Sequence, residues 1–428
     1  MLAIISAIFL VTLLIGVPVA VALGLAGASY ILFWSDFNSA IIVRRMYHSF
    51  DSFPLLAIPL FIILGHLSES SGLLSHLMRW LQVLVGRMKA GMAYINVLSS
   101  MIFAGVSGTA VSDVASLGRL ELELMRQSGY EPRFSAALTA ASSICGPIIP
   151  PSVAMVIYAL AAGGNVSIGG LFLAGVLPGL LIGAGLLVIS YIATRRMELV
   201  WVRSRMDYRQ LVETTWRILP LLLLPLIIIG GIVGGVFTAT ESAVVGVFYV
   251  LVIGFLVTRE LTLRKICEAI VYAAEMSGVL ALLMGAGAVV SWILTVNNAT
   301  AELASFIGAF AKEPQYFLAI TAVTLLVLGC FMDATAIIIC LAPLLAPLAV
   351  SLGISPLQFG LVFVLSTMIG LITPPVGVVL FMTSSISGVS IEGISRAIVP
   401  FLLWLIAVVA LAIYLPAVTL WLPRMFGF

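Results

Sequence analysis

Apolar runs of about 20 residues follow one another from end to end of the chain, long enough for helices to cross a hydrocarbon layer of about 30 Å. The longest polar stretch between them is TRRMELVWVRSRMDYRQLVETTWR at 194–217, where Arg195, Arg196, Arg203, Arg205, Arg209 and Arg217 face three acids. Basic loops stay in the cytoplasm. This pattern predicts an all-α polytopic membrane protein, divided by a cytoplasmic loop at 194–217 into halves 1–193 and 218–428. Around 1–34 and 218–258 the hydropathy allows either two short spans or one long kinked one. Arg44 and Arg45 beside MYHSFDSF predict a short interfacial helix. Trp34, Trp80, Trp201, Trp216, Trp292 and Trp421 mostly sit near span ends, as belt residues do.

Composition narrows the function classes. Of 428 residues, 62% are hydrophobic and 9% charged, with a net charge of +2. A soluble chain carries roughly 25% charged residues, so this one cannot cover a water-facing surface. The basic residues sit at span ends rather than in a stripe, which removes nucleic acid as a partner and leaves the lipid bilayer. Cys145, Cys267, Cys330 and Cys340 show no CxxC spacing and are expected to be buried thiols. The first apolar run begins at residue 2 without a basic leader or a small-residue cleavage site, and is expected to be retained in the membrane. His48, His66 and His76 have no ligand spacing, and HExxH is absent. No GxxxxGK[ST] occurs, so an ATP-cradling loop is missing and an ion gradient is the expected energy source.

The chain repeats itself. Shifted by 224 residues, 105–151 aligns with 329–375 without a gap, and 12 of 47 positions are identical. The matches include Gly105 with Gly329, Gly129 with Gly353, Pro132 with Pro356, Ser142 with Ser366, Gly146 with Gly370, and both proline pairs. Charge distinguishes the copies: 79–133 holds Arg79, Arg87, Lys89, Arg119, Arg126 and Arg133, whereas 303–357 holds only Lys312. Similar sequence with opposite basic bias implies opposite orientation in the membrane. Inverted repeats with Gly/Pro-interrupted segments at corresponding positions point to a secondary transporter with its site near the bilayer midplane.

Each half carries two interruptions. Polar, small-residue kinks lie between apolar arms in FAGVSGTAVSDVASLG (103–118) and LGCFMDATAIIICLAP (328–343). Basic residues flank the first kink on both sides, so 92–126 is expected to be a re-entrant hairpin, with its partner at about 315–350 entering from the opposite face. The second interruption is GPIIPPS (146–152) and its copy GLITPPVG (370–377), within broken helices expected at about 133–162 and 358–385. Proline cannot donate and leaves carbonyls one turn back unpaired, and Gly146 and Gly370 add local freedom. A single proline in a membrane helix commonly only kinks it. A duplicated Gly-x-x-x-Pro-Pro at a fixed distance from a duplicated glycine argues instead for unwinding. Bare backbone at this depth survives only in protein or against a cavity. There its carbonyls suit a small cation, and half-helix N-termini suit an anion. The candidate ligands are Ser107, Gly108 and Thr109 in the first tip, facing Gly146, Ile149, Pro150 and Ser152. In the second half Asp333, Thr335 and Thr373 stand in equivalent places.

At these residues the chain resembles the large membrane subunit of the tripartite ATP-independent periplasmic (TRAP) transporters. The resemblance runs essentially end to end. It is most specific in GYEPRFSAALTAASSICGPIIPPS (129–152), GVFTATESAVVG (235–246), MDATAIIICLAPLLAPL (332–348) and FGLVFVLSTMIGLITPPVG (359–377). Ala239 and Ser355 depart from the family's usual proline and aspartate. The resemblance implies an elevator-type, sodium-coupled importer of small organic anions, carboxylates or sugar acids, in the bacterial inner membrane. It also implies a small four-span membrane subunit and a periplasmic substrate-binding protein as partners, and no cofactor beyond Na+ as coupling ion. Carried over residue by residue, the sodium ligands become Ser107, Gly108, Thr109, Gly146, Ile149 and Pro150 with Gly329, Asp333, Thr335, Gly370, Thr373 and Pro374. Ser107, Thr109, Ser152, Asp333 and Gly377 become the substrate contacts.

Acids within apolar sequence are costly and therefore candidates for function: Asp113, Glu241, Glu275 and Asp333. Asp333, in the second tip, is expected to coordinate the ion or shape its site. Asp113 has a bland alternative as a cap or the partner of a nearby base. Glu241 follows TAT at an expected helix start, where capping is the expected role, and the sequence leaves Glu275 undecided. Arg133 matches carboxylate geometry, but at a hairpin exit it reads better as an orientation anchor. Proton coupling wants a buried carboxylate or histidine in each site, and the first tip offers none, which favours sodium. The alternatives are an ion/proton antiporter or an anion exchanger on the same scaffold, for which only Asp333 qualifies as a midplane titratable group. An enzyme would need a nucleophile and a base within reach, and the sparse His, Lys and Asp supply no such set. A channel would need a pore ring that the sequence does not display.

Overall fold

The computed structural model describes residues 2–163, 166–195, 197–199, 208–297 and 313–428. Arg196, Trp201, Arg203, Arg205 and Lys312, used above as charge and belt markers, lie outside the described residues. All regular structure among the described residues is helical. Among the described residues, seven helices are long and apolar enough to cross a membrane, and shorter apolar helices lie between them.

Proline and glycine punctuate the chain where the hydropathy was ambiguous. Helices Leu2–Leu14 and Val19–Trp34 are separate, and so are Tyr208–Val233 and Ala239–Val252. The polar interval 194–217 is not loop throughout, because helix Tyr208–Val233 begins inside it. An Arg217–Glu213 ion pair one turn apart supports its first turns. Ala40–Phe50 forms a short helix with no buried residue, polar on one face. Thr238 and Glu241 make a reciprocal capping box at the start of Ala239–Val252, as the sequence suggested. Glu275 is exposed on the flank of the 34-residue helix Leu263–Val296. One cysteine departs from expectation. Cys145 and Cys330 are buried and Cys340 half-buried, but Cys267 is exposed near the start of that same helix.

The helices pack in two groups. Leu263–Val296 lies against Val19–Trp34, Ala40–Phe50 and Ala57–Ser70, while Ala239–Val252 packs on Ala57–Ser70 and Tyr208–Val233 on Leu73–Val85. The second group interleaves the two halves of the sequence. Ile391–Tyr414 packs on Pro132–Ser142, and Val153–Ala161 packs on Ala334–Ser351. Its centre is aromatic: the Tyr158 ring lies 5.3 Å from Phe363, and Phe359 stacks 5.8 Å from Phe317. Such rings favour offset or edge contacts at these spacings. Residues from both halves therefore share one core.

Candidate functional site

In the first half, helix Gly91–Ser107 ends at Gly108, which turns the chain with φ +64°. Thr109 then caps the returning arm by accepting from Ser112 N at 3.2 Å. The arm continues through Ala110–Asp113 and a wider turn at Val114–Gly118 to Arg119–Gln127. A left-handed residue at this corner favours glycine. A side chain there would also strike the carbonyl of Pro151 at 2.9 Å.

The next helix, Pro132–Ser142, stops after a short 3-10 turn, and regular structure resumes only at Val153. Between them the Pro150–Pro151 bond is cis. Ser152 restarts the helix: its Oγ accepts from Met155 N at 3.2 Å and donates to Pro147 O at 2.6 Å. The carbonyls of Ile148, Ile149, Pro150 and Pro151 accept no hydrogen bond from the described residues. This loop is buried apart from a half-buried Ile149. Hairpin tip and loop touch through backbone, since a Cβ on Gly146 would lie 2.9 Å from Thr109 O. Ser107, 4% exposed, keeps beside them a buried hydroxyl with no partner among the described residues.

The second half repeats the arrangement with different chemistry. Helix Pro314–Gly329 turns through Cys330–Met332 into Ala334–Ser351, and Asp333 caps the returning arm by accepting from Thr335 N at 2.8 Å. Thr109 and Asp333, 224 residues apart, thus do the same local work. The broken helix runs Pro356–Gly370, then an irregular loop with a cis Pro374–Pro375 bond, then Val378–Ser387. Gly377 N donates to Cys330 O at 2.9 Å, tying loop to tip. Thr373 Oγ1 donates back to Ile369 O at 2.8 Å. The carbonyls of Ile372, Thr373, Pro375 and Val376 accept no hydrogen bond from the described residues. Gly329 and Gly370 press together, a Cβ on Gly370 meeting Gly329 Cα at 2.6 Å. This loop is more open than the first: Thr373, Pro374 and Val376 are half-buried and Pro375 is exposed.

The structure thus gathers the candidate residues into two clusters, each a hairpin tip set against a loop of bare carbonyls. Carbonyl and hydroxyl oxygens are hard donors, suited to a small hard cation. Asp333 is exposed and its carboxylate already accepts from the backbone. Arg133 is exposed at the start of Pro132–Ser142.

Asp113 requires a correction. It neither caps a helix nor pairs with a base. It is 1% exposed, and its Oδ2 accepts from Ser100 Oγ at 2.8 Å while its Oδ1 has no partner among the described residues. It belongs to a buried polar network that the sequence reading missed. Asn96 Nδ2 donates to Glu121 Oε2 at 2.7 Å and to Thr139 Oγ1 at 2.8 Å. Ser99 Oγ donates to Glu121 Oε1 at 2.6 Å, and Ser142 Oγ donates to Asn96 Oδ1 at 2.9 Å. Glu121 is 2% exposed, and no ion pair to it or to Asp113 exists among the described residues. The network fastens both arms of the first hairpin to the broken helix. A side-chain bond from Ser112 to Glu69 joins the hairpin to Ala57–Ser70.

The family profile described as "Tripartite ATP-independent periplasmic transporter, DctM component" matches residues 6–418. The sialic acid TRAP transporter large permease SiaM of Vibrio cholerae is 35% identical over 414 residues, covering 96% of each chain. The C4-dicarboxylate TRAP transporter large permease DctM of Pseudomonas aeruginosa is 35% identical over 406 residues, covering 95% of this chain and 94% of its own. Among solved structures, the Alcanivorax borkumensis YdaH transporter superposes with a TM-score of 0.63 at 17% identity, covering 89% of each chain, a likeness of fold alone. The named relatives are permeases, not enzymes. The chain therefore belongs to the DctM component family of the tripartite ATP-independent periplasmic transporters, as a multi-pass large permease of the bacterial inner membrane.

Proposed function

We propose that this permease imports small organic anions, carboxylates or sugar acids, delivered by a periplasmic binding protein and driven by sodium. The two tip-and-loop clusters bind the coupling ions, and the group of hairpins and broken helices moves as an elevator against the other helices. A small four-span membrane subunit completes the assembly. The observation that carries this reading is the pair of unwound loops, each with four or more bare carbonyls and each closed by a hairpin tip at the corresponding position. An ion that binds one orientation together with substrate drives transport, because the coupling of two ligands is reciprocal. Oppositely oriented copies would present equivalent clusters to the two membrane faces in turn. The printed names of the relatives, sialic acid and C4-dicarboxylate permeases, supply the first substrates to try.

One observation favours a second reading, proton coupling. Asp113 and Glu121 are buried beneath the first tip without a cation among the described residues, and uncompensated buried charge is costly. Uptake into proteoliposomes holding the permease, its small subunit and its loaded binding protein separates the two. An inward sodium gradient alone is expected to drive accumulation, and a proton gradient alone is not. Accumulation on a proton gradient without sodium would overturn the sodium reading.

A further inference from the structure

Away from both clusters, a cavity of about 380 Å3 opens between the two helix groups. One wall belongs to the short polar helix Ala40–Phe50 and the long helix Leu263–Val296, which contribute Arg45, His48, Ser291 and Trp292. The facing wall is apolar, with Leu160 from the broken helix and Ile339 from the second hairpin. Among the described residues that line it there is no candidate ion or substrate ligand and no aspartate or glutamate.

Arg45 sets the chemistry. Its guanidinium carbon lies 5.2 Å from the centroid of the Trp292 ring, and that ring is braced edge-on by Phe37 at 4.9 Å. Stacking fixes the plane of the fork and leaves its in-plane donors free. Nε is buried and makes no hydrogen bond, and Arg45 has no ion pair among the described residues. A desolvated donor on a permanent charge is costly to leave unpaired, and a positive pocket without countercharge concentrates anions. Carboxylate and phosphate match the guanidinium fork in two parallel bonds. The volume falls in the range of roughly 300–1,000 Å3 typical of small-ligand sites. The facing wall asks for an apolar body attached to the oxyanion.

We propose that this cavity is an anion site, distinct from the transport clusters, that takes a phosphate or carboxylate joined to an apolar group and is read by Arg45. A helix like Ala40–Phe50 lies at the depth of lipid headgroups, so an anionic phospholipid offers this chemistry, and so does a soluble organic anion. The ligand bridges the two helix groups and would bias how they sit against each other. The site does not depend on the ion that drives transport.

The test is thermal unfolding of the full chain in phosphatidylcholine nanodiscs, since a ligand that binds the folded state raises the midpoint. In one arm phosphatidylglycerol replaces part of the lipid; in the other, inorganic phosphate and succinate are titrated. The wild type is expected to be stabilised in at least one arm. Arg45→Gln is expected to weaken that response about tenfold, the worth of a charged hydrogen bond, and Arg45→Lys to weaken it less. Ala161→Phe fills the cavity from the facing wall without touching Arg45, and is expected to abolish the response even if Arg45→Gln folds poorly. An Arg45-dependent stabilisation by phosphatidylglycerol alone assigns a lipid, and an Arg45-dependent stabilisation by phosphate or succinate alone assigns a soluble anion; a succinate response that Arg45→Gln leaves unchanged belongs to the transport clusters and counts against the cavity. No stabilisation by any probe, or an undiminished response in a folded variant, overturns the proposal.

Discussion

Gly370→Leu is expected to cut sodium-driven uptake roughly 100-fold, the scale of loss when a positioned site shifts by about an ångström. The reason is backbone against backbone. A Cβ at this position meets Gly329 Cα at 2.6 Å and Leu326 O at 2.9 Å, neither of which can rotate aside. Leucine must push helix Pro314–Gly329 away from the loop, and overpacking of this kind costs about 1–3 kcal/mol. The contact most exposed to that shift is Gly377 N to Cys330 O, which ties the second loop to its tip. Insertion should be spared, because leucine only raises the hydropathy of the segment. Gly278→Leu is the control: that glycine lies on Leu263–Val296 with nothing within 4 Å. Wild-type uptake in a Gly370→Leu permease would show that the tip and loop need not touch.

The second large effect is expected at Asn96, where leucine should destabilise the protein by about 3 kcal/mol or more, at about 1–3 kcal/mol for each buried group left unsatisfied. One amide serves three partners there: Glu121, Thr139 and Ser142. Leucine is close in volume, so the loss isolates hydrogen bonding rather than packing. Denaturant unfolding in detergent micelles measures it, as a lower midpoint at unchanged slope. Adding Glu121→Met should recover part of the loss, because removing both partners of a buried polar contact is cheaper than removing one. A wild-type midpoint for Asn96→Leu would remove the network from any account of how the first hairpin is held.

These two sites also mark what the sequence makes legible. Proline and glycine act locally, so the breaks at 146–152 and 370–377 and the corner at Gly108 could be placed from residue types alone. The same holds for the Thr238–Glu241 capping box. Asp333 stands directly before an apolar run, a cap signal that a search for ion ligands passes over. Glu121 was illegible for a different reason. RLELELMR reads as a solvated amphipathic turn, and only the face carrying Glu121 and Met125 is buried. What holds it there is Asn96 and Ser99 on the opposite arm, and no spacing within one segment records that contact. The same applies to Asp113, whose partner Ser100 lies on the opposite arm. The Arg45 cavity needs four elements to close, so its charge pattern was visible and its shape was not.

The claim at the centre of the account is that the two loops of bare carbonyls, each closed by its hairpin tip, hold sodium. The most direct measurement is the unfolding midpoint of the purified permease titrated with sodium chloride against potassium chloride, without substrate or partner. Ligand in 100-fold excess over Kd stabilises the folded state by about 2.7 kcal/mol. The account predicts a midpoint that rises with sodium and not with potassium, and a weaker rise in both Gly146→Ala and Gly370→Ala, each of which crowds one loop. Equal stabilisation by the two salts, or a sodium response that both substitutions leave intact, would contradict it.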